Sequence, residues 1–298
     1  MAIWAALWLA IASASPAAVV TDAVGRAVAL PAVPQRIVSL VPSVTEVLYA
    51  LGVEQRLAGV TEYSDYPPAA LAKPRVGRYD QPSLEAIAAL RPDLVFAAAD
   101  SHSRTLVQAL ERLEIATYVI YPRSLEETLE TFRAIGRIAD REEAGAALAD
   151  HMERYREAVR RAVAGRARPR VLLCAMLHPL TVCGPRTLGG ELIEAAGGKN
   201  VVPEGQGPYP TWSLEALAAA APDLIVAVSH SGNDNPAAFF DRETGIGPLV
   251  RGRVQVLPAD WVHRPGPRLA LGLRELVRAL HGIEIEVPPA PFFKGAEK

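Results

Sequence analysis

One segment of this chain occurs twice, and the repeat limits the fold more than any other feature. Residues 83–97 read SLEAIAALRPDLVFA and residues 213–227 read SLEALAAAAPDLIVA, so 10 of 15 positions are identical at a constant offset of 130. The same offset pairs identical residues just upstream: Gly77 with Gly207, and Tyr79 with Tyr209. An internal match of this length indicates two lobes of related architecture, with equivalent positions facing each other across the gap between them.

Each half of the chain alternates short β-rich runs with helical stretches. In the first half we expect strands at 36–41, 57–60, 93–98 and 115–121, with helices at 43–52, 83–90 and 101–113. Strand and helix alternating at these lengths predict βαβ units around a parallel sheet. The fold class is therefore α/β, with two Rossmann-like lobes. Ser43 and Glu46 have the spacing of a capping box, which predicts that the first helix begins there.

A proline-free segment, residues 141–164, separates the two halves and is rich in helix formers. Apolar residues recur along it with the spacing of one helix face: Leu148, Met152, Tyr155, Val159 and Val163. Such a helix would be roughly 36 Å long, and one stiff connection predicts little hinge motion. The expected organisation is a first lobe at 15–139, an interlobe backbone helix at 140–165, a second lobe at 166–282 and a loosely ordered tail at 283–298.

The N-terminus has the features of a secretion signal. Residues 2–12 are apolar, and Ala12, Ser13 and Ala14 form a small-x-small cleavage pattern. No basic residue precedes the run, and a buried N-terminal helix is the alternative. We expect residues 1–14 to be a signal peptide. The mature protein is therefore expected to be exported and soluble. Because no cysteine directly follows the cleavage site, we expect no lipid anchor there.

Composition and missing motifs exclude several function classes. The 31 basic and 33 acidic residues give a formal charge of −2, which argues against nucleic acid or an anionic membrane as the main partner. There is no GxSxG, P-loop or HExxH motif, and the six histidines have no metal-ligand spacing. These absences favour a binding protein over an enzyme, with no cofactor and no metal site.

The two cysteines, Cys174 and Cys183, lie in two apolar runs on either side of His178 and Pro179. In a tight hairpin centred between positions 178 and 179, the two cysteines would be directly opposite each other. Export would place them where disulfides persist. The sequence leaves open a cross-strand disulfide or two buried free thiols.

Aromatic residues concentrate in the expected loops beside strand and helix ends. They are Tyr63, Tyr66, Tyr79, Tyr209, Trp212 and Trp261. Binding sites of open α/β sheets form outside the carboxyl ends of the strands, where aromatic side chains offer apolar area with a polar tip. The alternative is that each ring only packs against its own lobe.

Several of these segments carry a family resemblance. RIVSLVPSVTEVLYALG, GVTEYSDYPP, the repeated SLEA segments and ADWVHRPGPRL resemble the periplasmic binding proteins of siderophore, haem and cobalamin importers. YSDYPP and the DW-x-x-R-x-x-PR pattern are most similar to the cobalamin branch. The resemblance spans about residues 34–281. It implies a periplasmic protein of the class III type, with two lobes joined by one backbone helix and the ligand held in a shallow cleft between them.

The resemblance also implies which residues bind the ligand. Tyr63 matches the tyrosine of the first cleft loop, Trp261 matches the tryptophan of the last, and Tyr79 and Tyr209 stand where the cobalamin branch has tryptophan. Trp212 and Arg264 complete the expected set. A corrin ring is a broad apolar plate fringed with amides, so aromatic walls and a few donors suit it. The sequence leaves open whether the ligand is intact cobalamin, cobinamide or another macrocycle.

Two rival ligands belong to the same family. Haem would need an axial ligand, which Tyr63, His102, His230 or His263 could supply. A ferric siderophore would need arginines in the cleft, and Arg78, Arg264 and Arg268 are the candidates. A zinc or manganese carrier would require three or four converging ligands, which the scattered histidines argue against.

Glu85 and Glu215 lie one turn inside the repeated helices, at the same offset of 130. The resemblance implies that they dock onto arginines of a dimeric membrane permease, which works with ATPase subunits, and that the binding protein is a monomer. The alternative is that each carboxylate only complements its helix N-terminus. Because Ser83 and Ser213 already provide caps, docking is the favoured interpretation.

Overall fold

Two sheets of mostly parallel strands form the framework of the chain. The structure is a computed structural model that describes residues 18–230, 235–240 and 253–286. The expected signal peptide at 1–14 and most of the expected tail lie outside these residues. None of the helices described here is both long enough and apolar enough to cross a membrane.

The first lobe contains a sheet of four parallel strands. They are β3 (Ile37–Ser39), β4 (Leu57–Val60), β5 (Leu94–Ala98) and β6 (Thr117–Ile120), in the spatial order β4-β3-β5-β6. A short antiparallel hairpin precedes them, made of β1 (Ala18–Thr21) and β2 (Ala27–Leu30). The helices are α1 (Pro42–Ala50), α2 (Leu84–Ala89), α3 (Arg104–Arg112) and α4 (Leu125–Ile138). Every residue of β5 is buried, as expected for a strand covered on both faces.

The second lobe contains a sheet of five described strands. They are β7 (Arg170–Leu177), β8 (Leu180–Val182), β9 (Lys199–Asn200), β10 (Leu224–Ser229) and β11 (Val254–Pro258). The order is β11-β10-β7-β8, with β9 also paired to β7, and among these pairings β7 with β8 is the antiparallel one. The helices are α6 (Leu188–Ala195), α7 (Leu214–Ala220), α8 (Pro236–Ala238) and α9 (Leu269–His281). The prediction of an α/β fold with parallel sheets is confirmed.

The repeated segment has the same local structure in both lobes. It forms α2 and β5 in the first lobe, and α7 and β10 in the second. The hydroxyls of Ser83 and Ser213 each cap their helix by accepting a backbone N–H three residues later. After each helix one non-glycine residue adopts the left-handed conformation, Arg91 with φ 45° and Ala221 with φ 40°. These two residues are also 130 apart, so the repeat extends to the backbone conformation.

The same aspartate anchors both copies to the neighbouring strand. Asp93 accepts the backbone N–H of Arg36 at 3.0 Å, and Asp223 accepts that of Arg170 at 2.8 Å. The side chains of the two arginines return hydrogen bonds to the carbonyl that ends each repeated helix. The two lobes therefore position their sheets with the same contacts.

One long helix, α5 (Glu142–Val163), follows the first lobe and leads into the second, as the sequence predicts. It buries the stripe that the spacing predicts, including Leu148, Tyr155 and Val159. The preceding α4 was not predicted, and it packs against α5 where Gly136 meets Gly145. A Cβ added to either glycine would lie 2.8 Å from the Cα of the other. The close crossing therefore requires glycine on both helices.

The predicted capping box at the start of α1 is wrong. The helix begins one residue earlier, at Pro42, with Val41 as an N-cap that makes no side-chain hydrogen bond. Ser43 and Glu46 are buried instead of capping, at 2% and 0% exposure. Contacts with the second lobe, described below, override the local pattern at Glu46.

Cys174 and Cys183 are both buried free thiols. Leu177 pairs with Leu180 and Met176 with Thr181, which is the register that the sequence predicts for the hairpin tip. A bulge between Cys174 and Met176 then shifts the pairing by one residue, so that Cys174 is opposite Val182. The cysteines are therefore not directly opposite each other, and of the two alternatives the structure has the free thiols.

Candidate functional site

An open cleft of about 610 Å³ lies where the carboxyl ends of the strands of both sheets meet. Segments that follow six different strands contribute to its lining. One residue from each is, in chain order, Ser43 after β3, Tyr63 after β4, Asp100 after β5, Tyr121 after β6, His230 after β10 and Asp260 after β11. This edge is where open α/β sheets bind ligands.

Tyr63 projects into this cleft from the loop after β4. Its side chain is 48% exposed, although the loop backbone around it is held firmly. The guanidinium of Arg75 donates hydrogen bonds to the carbonyls of Thr61 and Ser64, at 2.8 and 2.9 Å. The ring is therefore available to a ligand while its position is fixed.

Tyr79 forms part of the wall next to Tyr63. Gly77, with φ of 102°, makes the turn that carries it, and a Cβ there would lie 3.1 Å from two backbone atoms. The ring packs edge-on against the ring of His102, with centroids 5.3 Å apart. Burial is the main cause that raises the pKa of the phenol. Tyr79 thus offers a fixed, neutral aromatic edge.

Three of the five aromatic residues expected to bind the ligand are not part of this lining. The side chain of Trp212 packs against the core of the second lobe and donates from Nε1 to Gln206 at 2.8 Å. Trp261 is half-buried in a short 3₁₀ turn, Ala259–Trp261. Tyr209 is 51% exposed; desolvation raises its pKa to about 12, and the charges of Cys183 and Asp100 add to this shift. Their roles in binding remain predictions.

All three arginines proposed for an anionic ligand are paired with carboxylates. Arg78 bonds to Asp80 at 3.0 Å at the rim of the cleft. Arg264 lines the cleft, and Arg268 lies behind it as the N-cap residue of α9. Both contact the carboxylate of Glu46. None of the three is therefore left free to neutralise an anionic ligand.

Glu46 is a buried carboxylate behind the cleft that was not expected there from the sequence. Its side chain is fully buried, and Arg268 contacts both of its oxygens: Nη2 donates to Oε1 at 2.8 Å, and Nε donates to Oε2 at 3.1 Å. Arg264 Nη1 donates to Oε1 at 3.2 Å. Asp260 accepts from both arginines, at 2.8 and 3.1 Å. A signal was present in the sequence: Glu46 is an acidic residue on a helix whose neighbours Val47 and Leu48 are apolar.

Two of the histidines line the cleft, and a third does not. His230 and His263 are both in the lining, and Nε2 of His263 is buried with no hydrogen-bond partner among the residues that the structure describes. Burial, with a smaller effect of His230, lowers the pKa of His263 to about 4, so its ring is neutral near pH 7. His102 is buried outside the lining, and its Nδ1 accepts the N–H of Ala98 at 2.9 Å. Within the described ranges, no three His, Cys, Asp or Glu side chains converge in a way that could hold a metal ion.

Glu85 and Glu215 are exposed in the first turns of α2 and α7. The Ser213 hydroxyl hydrogen-bonds to Glu215 and, as the main cause, lowers the pKa of that carboxyl. Both carboxylates are thus at the surface, one on each lobe, with helix caps that do not depend on them.

Comparison with known proteins identifies relatives along most of the chain. Residues 37–245 match the family model described as periplasmic binding protein. The chain is 30% identical over 245 residues to a vitamin B12-binding protein from Salmonella choleraesuis, covering 82% of this chain and 90% of that protein.

Solved structures give the same result at the level of the fold. A periplasmic vitamin B12 binding protein of Vibrio cholerae superposes with a TM-score of 0.70 at 27% identity, covering 83% of this chain and 96% of that one. A periplasmic heme binding protein from Pseudomonas aeruginosa superposes with a TM-score of 0.74 at 29% identity, covering 85% and 95%.

Proposed function

The chain belongs to the periplasmic binding protein family, and we propose that it captures cobalamin or a related corrinoid in the interlobe cleft and delivers it to an ABC importer in the periplasm. The family consists of substrate-binding proteins and not enzymes. The observation that carries the proposal is the cleft, in which aromatic side chains stand on fixed loops and the arginines of the described lining are paired with carboxylates. Similarity to vitamin B12-binding proteins supports the choice of ligand.

The walls of the cleft suit a corrin ring. Tyr63 and Tyr79 present apolar faces with polar tips, which match an apolar plate fringed with amides. Arg264 is the proposed hydrogen-bond donor, since it lines the cleft from the second lobe. We propose that Tyr209, Trp212 and Trp261 contact the parts of a large ligand that extend beyond the described cavity.

Charge further favours a ligand without excess negative charge. Five carboxylates line or back the cleft against three guanidiniums: Glu46, Asp65, Asp80, Asp100 and Asp260 against Arg78, Arg264 and Arg268. A carboxylate-rich site with no free cation repels an anionic partner. This balance weighs against a ferric siderophore that carries negative charge, and it suits the amide fringe of a corrinoid.

Haem is the second candidate, and His263 is the observation that favours it. This neutral ring lines the cleft, and its buried Nε2 has no hydrogen-bond partner within the described part of the chain, so the ring is suited to coordinate an iron centre. Similarity to a heme binding protein adds support. Against it, the two propionates of haem would meet the acidic lining described above.

We further propose that Glu85 and Glu215 dock the protein, as a monomer, onto basic residues of a dimeric permease. One exposed carboxylate on each lobe, at equivalent positions of the repeat, provides two contacts at a fixed separation. Exposed charge pairs of this kind set orientation and association rate more than affinity.

Calorimetric titration of the purified protein with cyanocobalamin, cobinamide, haemin and a ferric siderophore tests the ligand. We expect one-to-one binding of a corrinoid, with weak or no response to the siderophore. Binding of haemin with a shifted Soret band, together with no heat from either corrinoid, would replace the proposal with the haem alternative.

A further inference from the structure

Four charged side chains join the two lobes beside the cleft: Glu46 from α1 and Asp260, Arg264 and Arg268 from the second lobe. We call them the interlobe ion cluster. Their exposures run from 0% for Glu46, through 11% and 16% for the two arginines, to 31% for Asp260. We infer that Glu46 is a positioning residue of the binding site, which fixes the width of the cleft through this cluster before any ligand arrives.

The geometry of the cluster supports a rigid connection. Arg268 donates two parallel hydrogen bonds to the carboxylate of Glu46, at 2.8 and 3.1 Å. A bidentate pair of this kind fixes the relative orientation of the two side chains. Arg264 adds a third hydrogen bond to the same carboxylate. Glu46 belongs to the first lobe, and both arginines follow the last strand of the second lobe. The hydrogen bonds therefore cross the gap between the lobes.

The cluster also holds a loop that contacts the ligand space. The guanidinium of Arg268 lies over the ring of Tyr66, 4.3 Å from its centroid. Arg264 Nη1 is 3.5 Å from Asp65 in the same loop, which carries Tyr63 into the cleft. The cluster therefore positions wall residues from both lobes at once.

The backbone comes close to the same point. A Cβ added to Gly266 would lie 3.3 Å from both Oε2 of Glu46 and Cβ of Ser43. The last cleft loop thus passes directly over the first turn of α1, and this close approach is possible because Gly266 has no side chain. A wider cleft would separate this contact and leave the buried carboxylate of Glu46 without its two cations, which is unfavourable in a dry environment.

The test measures the distance between the lobes without any ligand. Ala89 and Ala219 are exposed, 130 residues apart, and equivalent in the two repeated helices. Spin labels on Ala89→Cys and Ala219→Cys would report the separation of the lobes. The native thiols of Cys174 and Cys183 are buried and would not take the label.

Glu46→Gln keeps the shape of the side chain and removes its charge. We expect the label distances to spread and shift to longer values, and the affinity for cyanocobalamin to fall at least tenfold, mainly through faster dissociation. An unchanged distance distribution in the folded variant would overturn the inference. The distance measurement needs no ligand, so it stands even if the protein proves not to bind a corrinoid.

The matched control is Asp22→Asn. Asp22 is also fully buried at its side chain and paired with an arginine, Arg26, but both residues belong to the first lobe. We expect this variant to lose stability with no change in label distance, and the same change in both variants would count against a role specific to Glu46. If Glu46→Gln does not fold, Asp260→Asn removes the partly exposed contact to both arginines, and it should spread the distances to a smaller degree. No spread there would also overturn the inference.

Discussion

The hydroxyl of Ser101 donates a 2.6 Å hydrogen bond to the hydroxyl oxygen of Tyr79. The two residues follow different elements of the first lobe, and the bond holds the phenol tip against the segment after β5. The aromatic face of Tyr79 is thereby fixed in the wall of the cleft.

Replacing Tyr79 should separate the contribution of its ring from that of its hydroxyl. Tyr79→Phe keeps the ring, so we expect corrinoid affinity within about threefold of wild type and a loss of about 1 kcal/mol in stability. Tyr79→Ala removes the wall, and affinity should fall by roughly tenfold or more. Calorimetric titration of both variants gives the comparison, and equal losses in the two would assign binding to the hydroxyl instead.

Tyr63→Ala should weaken binding without weakening the fold. The side chain is 48% exposed and lines the cleft, so its removal leaves no cavity in the core. We expect roughly a tenfold rise in the dissociation constant and a change in unfolding free energy within about 0.5 kcal/mol. Leu113→Ala is the matched control, because Leu113 is 49% exposed and lies outside the cleft lining. Equal affinity in both variants would remove Tyr63 from the site.

The double variant Glu85→Ala with Glu215→Ala separates transport from binding. Both carboxylates are exposed and neither is part of the cleft lining, so ligand affinity should stay within about twofold of wild type. Uptake of labelled cobalamin by cells that depend on the importer should be lost. A large loss of affinity in the purified variant would contradict the docking assignment.

Stability should decrease in mild acid because of His263. Burial and His230 lower its pKa from 6.5 to about 4, so between these values the unfolded chain binds a proton that the native protein does not. The stabilisation is complete above about pH 6.5 and declines as the pH falls toward 4, by about 3 kcal/mol. Urea unfolding at pH 7 and pH 4.5 measures the decline, which His263→Asn should reduce. His281→Asn is the control, since its ring lies outside the cleft lining.

Local and repetitive features of the fold could be predicted from the sequence. The helix of the repeat, its serine cap and the strand that follows were expected at 83–98, and the structure has them because each depends on neighbouring residues. The apolar stripe along α5 could be predicted for the same reason. In contrast, α4 went unpredicted, although Ser124 caps it and Glu126 and Glu127 occupy its first turn.

The candidate site could be predicted only in part. The tyrosines at 63 and 79 were found because loops beside strand ends collect ligand contacts. Glu46 was not, since its partners lie more than 200 residues away, and its apolar neighbours alone do not identify the arginines that it pairs with. The bulge after Cys174 was missed for a similar reason, because a hairpin sequence carries no clear mark of a one-residue shift.

The repeat has a consequence for how a flat ligand would lie in the cleft. Tyr79 and Tyr209 stand at equivalent positions of the repeat. If both contact the ligand, as proposed above, a plate-shaped molecule has two poses related by a half-turn. The two poses differ where the two copies differ. Arg78 and Asp80 flank the first tyrosine, whereas Pro208 and Pro210 flank the second. Under the proposed function, we expect these differences between the copies to select one pose, and exchanging the flanking residues between the loops should invert the orientation of the ligand.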